Sequence, residues 1–360
     1  MKSGEKSGYG ERMIKTTDAV NVDVKKYIDM ACDEIGDEAL RDILMQIPNR
    51  RSAVKPSLYP NLLRNALEAS GEKNWEQHIN LLTASELQTI SYYYANWVYD
   101  DKFNNSHKQS MNASLITRPL AYRAISEWAN SPQKVAMLPK VLEYFNNADY
   151  RVELGQRMDA ENTYDNFKEL PFEEQVKRAE KRTRFLAGEF NKTLCGVGGF
   201  VAGETNWNVK SQDRVRALEQ FGTNFGLAMQ YVNDIADFAT DSGYTAMKNE
   251  SDKFSDFKLK KMTMPLIYAF KNAGKGERRF LHDCLSQDKI VLTESDQKEV
   301  SGILTNTGAF ADTKRLCKSH YRSAKSALHG AFDKEDRKWL GVMASASVSN
   351  KFLKDIKLDR

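Results

Sequence analysis

FGTNFGLAMQYVNDIADF, residues 221–238, decides the fold class. Its apolar residues return at helical intervals, as Phe221, Phe225 and Ala228 do, and show none of the strict alternation of a half-buried strand. Towards its end Asn233, Asp237 and Asp241 stand at i, i+4 and i+8. A continued helix puts all three on one face, with Asp234 adjacent. Acidic side chains stacked in this way repel one another unless something cationic lies between them. Hard oxygen ligands in twos and threes suit Mg²⁺, which keeps several waters and bridges to phosphates.

Outward from this stretch the same periodicity recurs over residues 24–35, 39–47, 58–69, 84–99, 118–129, 135–145, 172–190, 215–238, 266–272 and 313–327. No run alternates with period two between turn signals, and no internal repeat or low-complexity tract is present. Only 8 Pro and 20 Gly occur in 360 residues, which favours long uninterrupted elements. The expectation is an all-α chain with a flexible polar segment over residues 1–20 and a single helical domain over 21–360.

Composition excludes several functions. The 53 Lys and Arg against 49 Asp and Glu give +4, with no clustered basic stripe, which argues against nucleic acid as a partner. Uncharged stretches such as residues 193–203 fall well short of the ~18 apolar residues of a membrane span. The four cysteines, Cys32, Cys195, Cys284 and Cys317, lie far apart without a CxxC spacing, so free thiols in a reducing compartment are expected. MKSGEKSGYGERMIK at the start has no apolar core of a secretory signal. A soluble intracellular protein is expected, cytoplasmic or organellar after loss of a transit peptide.

A second acidic group closes the aromatic-rich helix SYYYANWVYDDKFN, where Asp100 and Asn104 share a face and Asp101 adjoins them. Either cluster alone is also what a solvated helix end looks like. Carboxylates at a helix C-terminus oppose the macrodipole, however, and two such clusters together are harder to read as ornament. Facing one another across a bundle they would clamp a magnesium diphosphate.

With both clusters in view the chain resembles the trans-isoprenyl diphosphate synthases and the related class I terpene synthases, over roughly residues 40–270. DDKFNNS resembles the first aspartate-rich motif, with Asn104 for its third Asp. LGQRMDAE, carrying Gly155, Gln156 and Asp159, resembles GQxxD. Lys192-Thr193 followed by Gly196 resembles the KT(G) element, and residues 221–238 resemble the second aspartate-rich helix with Asn233 for its first Asp. SDFKLKKMTMPLIYAF resembles SDxxxGKxTLPLIYAL and places Lys261. The resemblance implies an all-α fold around a central cavity, an allylic prenyl diphosphate substrate and three Mg²⁺ ions held by Asp100, Asp101, Asn104, Asn233, Asp234, Asp237 and Asp241. It implies Lys192 and Lys261, with Asp100 and Asp101, as the residues that ionise the substrate, and Gln156, Gln230 and Lys253 as further substrate contacts. Tyr93, Asn96, Trp97 and Phe225 are candidates to line the cavity; aromatic faces there would steady a carbocation, and the plainer reading of each is core packing.

Two departures bear on the acceptor. The family's GGKRxRP falls on Arg50-Arg51-Ser52-Ala53-Val54-Lys55-Pro56, and its RRG falls on Gln109-Ser110-Met111. Without those cations a second diphosphate would be desolvated with too little compensating charge. Arg50, Arg51, Lys55, His107 and Lys108 remain to meet a different anionic group such as a carboxylate, or else are ordinary surface charges. The expectation is a monomeric or homodimeric prenyltransferase whose acceptor is not isoprenoid, such as the amine of an amino acid, as in the nitrogen-prenylating enzymes of kainoid biosynthesis in algae. A terpene cyclase, a chain-elongating synthase and a silent regulatory subunit are the alternatives.

Overall fold

A computed structural model describes residues 3–54, 57–100, 107–203, 209–238 and 253–348. The chain is helical, with no strand among the described residues beyond one isolated antiparallel bridge between Thr163 and Lys261. The elements are α1 (Ser3–Ile35), α2 (Glu38–Val54), α3 (Leu58–Ala69), α4 (Ile79–Tyr99), α5 (His107–Trp128) and α6 (Pro132–Glu161). The one-turn α7 (Tyr164–Phe167) and α8 (Phe172–Thr183) follow, then a π-turn at Arg184–Gly188 that leads into α9 (Glu189–Gly203) and α10 (Val209–Ala236). The rest is α11 (Ser255–Lys258), α12 (Met264–Asn272), α13 (Lys275–Leu285), α14 (Glu294–Asn306), α15 (Ala309–His329) and α16 (Lys338–Val348). No helix among the described residues is long and apolar enough to cross a membrane. All four cysteines are buried and free of disulfides.

The residues group into two compact units where the sequence suggested one domain. The first is Met1–Ala148 with Asn191–Glu219 and Leu328–Val342, and the second is Asp149–Phe190 with Gln220–Ala327 and Met343–Arg360.

In the first unit the expected flexible segment is instead helix from Ser3 onward. Tyr9, Thr16, Thr17 and Val20 are buried, and Tyr9 stacks on Trp339 with ring centroids 5.9 Å apart. Arg64 of α3 reaches back to α1, donating to Thr16 Oγ1 at 2.6 Å, and lies 4.4 Å over the Trp75 ring. Hydrophobic patterning missed this helix up to residue 20 because two of the four residues described there as buried are threonines, whose hydroxyls bond the carbonyls one turn back, Thr16 to Arg12 and Thr17 to Met13. Small residues let α9 press on α3. A Cβ at Gly198 would stand 2.6 Å from Ala66 Cβ, so no larger side chain fits that crossing.

In the second unit close backbone contact sets the geometry. A Cβ at Gly155 on α6 would meet the backbone nitrogen of Leu186 at 2.8 Å, so glycine there lets the π-turn lie directly against α6. The same turn follows α8 and fixes where the last residues of α8 point.

Candidate functional site

The residues singled out by sequence divide between the two units. In the first unit α4 ends at Tyr99 and Asp100 caps it, its amide bonding the Asn96 carbonyl at 2.9 Å. The Asn96 side chain donates to Asp100 Oδ2 at 2.9 Å, so the buried carboxylate is held by the turn beneath it. Trp97 is half-buried and meets Tyr94 edge-on at 5.5 Å, while Tyr93 is exposed on the surface, because it falls on the outer face of α4. His107 and Lys108 are exposed at the start of α5. Lys192 is half-buried in α9. Arg50 and Arg51 lie near the end of α2. Lys55, Asp101, Asn104 and Asp241 fall outside the described residues.

The second unit holds a line of buried charge. Arg182, in the last turn of α8, donates from Nε to Asp159 Oδ1 at 2.7 Å and from Nη1 to Asp234 Oδ2 at 3.5 Å. Asp159 Oδ2 pairs with Lys261, and Asp234 Oδ1 accepts from Gln230 Nε2 at 2.8 Å. Burial pushes the Asp234 carboxyl up to about 6, while Arg182 and Gln230 pull the other way. Burial alone would lower Arg182, but Asp234 and Asp159 hold it above its ordinary range.

Lys261 is fixed by its own backbone. Its amide bonds Asp256 O at 2.8 Å, Tyr164 N–H bonds Lys260 O at 2.8 Å, and Met262 N–H bonds Asn162 O at 2.7 Å. Lys260 and Phe254 both have left-handed φ, 57° and 56°, conformations that cost non-glycine residues energy and persist where surroundings over-determine them. Phe254 is anchored edge-on against Phe238 at 5.9 Å. Gln156, one turn before Asp159, is buried, and its Oε1 has no hydrogen-bond partner among the described residues. Lys253 and Gln230 are half-buried.

The Asp237 amide bonds the Asn233 carbonyl at 3.2 Å, so the backbone keeps these two residues one helical turn apart. Helix α10 ends at Ala236, and Asp237 turns inward. Its oxygens accept from Ser255 Oγ and from the Asp256 amide, both at 3.0 Å, so the carboxylate caps the short α11. Asn233 is exposed, whereas Asp234 and Asp237 are fully buried. Both carboxylates have protein donors on their oxygens. Among the described residues no group of three His, Cys, Asp or Glu side chains is set to hold a metal ion. Phe225 stacks on Phe221 at 5.7 Å within the core, the plainer of its two readings.

Sequence reasoning quoted Asp159 in its motif without giving it a role and missed Arg182. Its only signal was position. Ala179, Arg182 and Thr183 stand at i, i+3 and i+4 and are the buried residues of an otherwise charged helix.

A family model described as polyprenyl synthetase matches residues 98–302. A geranylgeranyl diphosphate synthase of Mycobacterium tuberculosis is 24% identical over 168 residues, 47% of this chain and 43% of that protein, so the match spans less than half of the relative's length. Among solved structures, geranylgeranyl pyrophosphate synthetase from Pyrococcus horikoshii superposes with a TM-score of 0.76 at 19% identity, over 96% of this chain and 99% of that one. Polyprenyl synthase from Caulobacter crescentus, complexed with calcium and isoprenyl diphosphate, gives 0.74 at 22% identity over 94% and 97%. The structural likeness establishes the fold.

Proposed function

Because the chain belongs to the polyprenyl synthetase family, we propose that it ionises an allylic prenyl diphosphate, such as geranyl diphosphate, and passes the prenyl group to a non-isoprenoid acceptor, the amine of an amino acid. In that reaction the C1–O bond breaks and diphosphate leaves with the electron pair. The amine lone pair forms the new C–N bond and the nitrogen then releases a proton. The motif resemblance gives Lys192 and Lys261 the role of diphosphate contacts, and Gln156 Oε1 would accept from an N–H of the amine acceptor. Magnesium, which draws charge from a leaving diphosphate, would be held by Asp100 and Asp101 of the first cluster.

The observation that carries the choice of acceptor is the loss of cations where the family binds isopentenyl diphosphate. On α5 the element reads Gln109, Ser110 and Met111, and Ser110 is fully buried, so that helix position faces the interior. A chain-elongating synthase is the second reading, supported by the names of the relatives.

The test is incubation of the purified chain with Mg²⁺ and geranyl diphosphate, with and without a panel of amino acids and isopentenyl diphosphate. An N-prenyl amino acid formed only when the amino acid is present is the expected product. A longer prenyl diphosphate would establish elongation instead, and an acceptor-independent hydrocarbon would establish cyclisation.

A further inference from the structure

Lys261, Asp159, Arg182 and Asp234 form an unbroken buried line in the second unit, two cations and two carboxylates in alternation. Each of the four carboxylate oxygens has a protein donor: Asp159 takes Arg182 Nε and Lys261 Nζ, and Asp234 takes Gln230 Nε2 and Arg182 Nη1. Arg182 Nη1 also meets Thr183 Oγ1 at 3.3 Å. A divalent cation drawn to these carboxylates would meet a guanidinium already paired with both of them, like charge against like charge.

We infer that Arg182 is the resident counter-charge of this acidic site, holding Asp159 and Asp234 together in place of a divalent cation, so that neither carboxylate is a metal ligand. Arg182 is a positioning residue: through Asp159 it also fixes the ammonium of Lys261. The inference rests on the proposed diphosphate chemistry only in placing the metal ions elsewhere on the chain.

The test counts bound ions on the full chain, titrating Mn²⁺ in the presence of inorganic pyrophosphate and following the free ion by electron paramagnetic resonance. Because no prenyl group is involved, failure of prenyl transfer leaves this reading untouched. Asp234→Asn is expected to bind the same number of Mn²⁺ ions as the wild type, with affinity within about twofold, whereas Asp100→Asn loses at least one. Arg182→Gln, which uncovers two carboxylates, is expected to gain an Mn²⁺ ion and to melt at a higher temperature when Mn²⁺ is added. Loss of an ion in folded Asp234→Asn, or a tenfold weaker Mn²⁺ affinity, would overturn the inference. So would an unchanged count in folded Arg182→Gln. Should Arg182→Gln fail to fold, Asp234→Asn decides alone, an unchanged count supporting the inference and a lost ion refuting it.

Discussion

Gly155 and Leu186 touch backbone to backbone, and a Cβ on the glycine would lie 2.8 Å from the Leu186 nitrogen and 3.0 Å from the Phe185 carbonyl carbon. Backbone atoms cannot turn aside as a side chain does. On helix propensity alone Gly155→Ala would stabilise α6 by up to about 1 kcal/mol. The clash reverses that sign, and overpacking of this kind costs about 1–3 kcal/mol. Urea unfolding of Gly155→Ala checks it, and a neutral or stabilised variant would show that α6 and the π-turn do not meet in this way.

A buried histidine in the first unit sets a pH dependence. Trp128 Nε1 donates to His78 Nδ1 at 3.0 Å, which puts the ring proton on Nε2, 3.2 Å from Glu72 Oε2. Burial lowers the pKa of His78, although Glu72 works against the shift. A histidine whose folded pKa lies below the unfolded value, ~6.5, contributes nothing adverse above it. As pH falls below that value the unfolded chain takes a proton that the folded ring refuses, and stability drops by up to about 1.4 kcal/mol per pH unit. His78→Gln keeps an acceptor for Trp128 and cannot titrate. Its melting temperature is expected to fall less between pH 7 and pH 5 than that of the wild type. Parallel curves would remove His78 as the cause.

Asn96 offers a test of the first acidic cluster that leaves the carboxylates in place. Its side chain holds Asp100 Oδ2 at 2.9 Å from one turn below. Outer residues that orient a metal-binding carboxylate typically matter by 10–100-fold in metal affinity. Asn96→Ala is therefore expected to raise the Mg²⁺ concentration giving half-maximal prenyl transfer by about 10–100-fold. Stability should fall by about 1–3 kcal/mol, because the buried Asp100 carboxylate loses a donor. An unchanged Mg²⁺ requirement would separate Asp100 from the metal.

What sequence could and could not show follows from where each signal lives. The long apolar stripes of α4 and α10 were plain, because burying one face leaves a repeat in the residue types themselves. The N-terminal helix up to residue 20 left no such repeat. Its contact with α3 runs through Thr16, Thr17 and Arg12, polar residues whose partners are far along the chain. Motif residues Gln156, Asp234 and Lys261 were identified by their place in a pattern, but their partners were not. The pairing of Asp159 with Arg182 depends on a glycine contact between α6 and the π-turn, and a spacing argument confined to one helix cannot reach it. The i, i+4 spacing from Asn233 to Asp237 likewise could not name the partner of Asp237, which caps α11, a segment 18 positions away.

Lys261 carries two roles that a double substitution can separate. It forms a buried pair with Asp159, and in the proposed chemistry it also holds diphosphate. Lys261→Ala leaves Asp159 with Arg182 alone and one buried negative charge uncompensated, for which a cost of about 3–5 kcal/mol is typical. Asp159→Asn strands Lys261 and leaves Arg182 to Asp234. When both are made together the remaining pair, Arg182 with Asp234, is balanced again. The double variant is then expected to be more stable than the sum of the singles predicts, by about 0.5–3 kcal/mol in a urea-unfolding cycle. Activity should not follow stability: prenyl transfer stays lost in the double variant, because the ammonium that meets the diphosphate is gone. Strict additivity in the cycle would mean that the two side chains are not paired in solution, and activity returning with stability would confine Lys261 to a structural role.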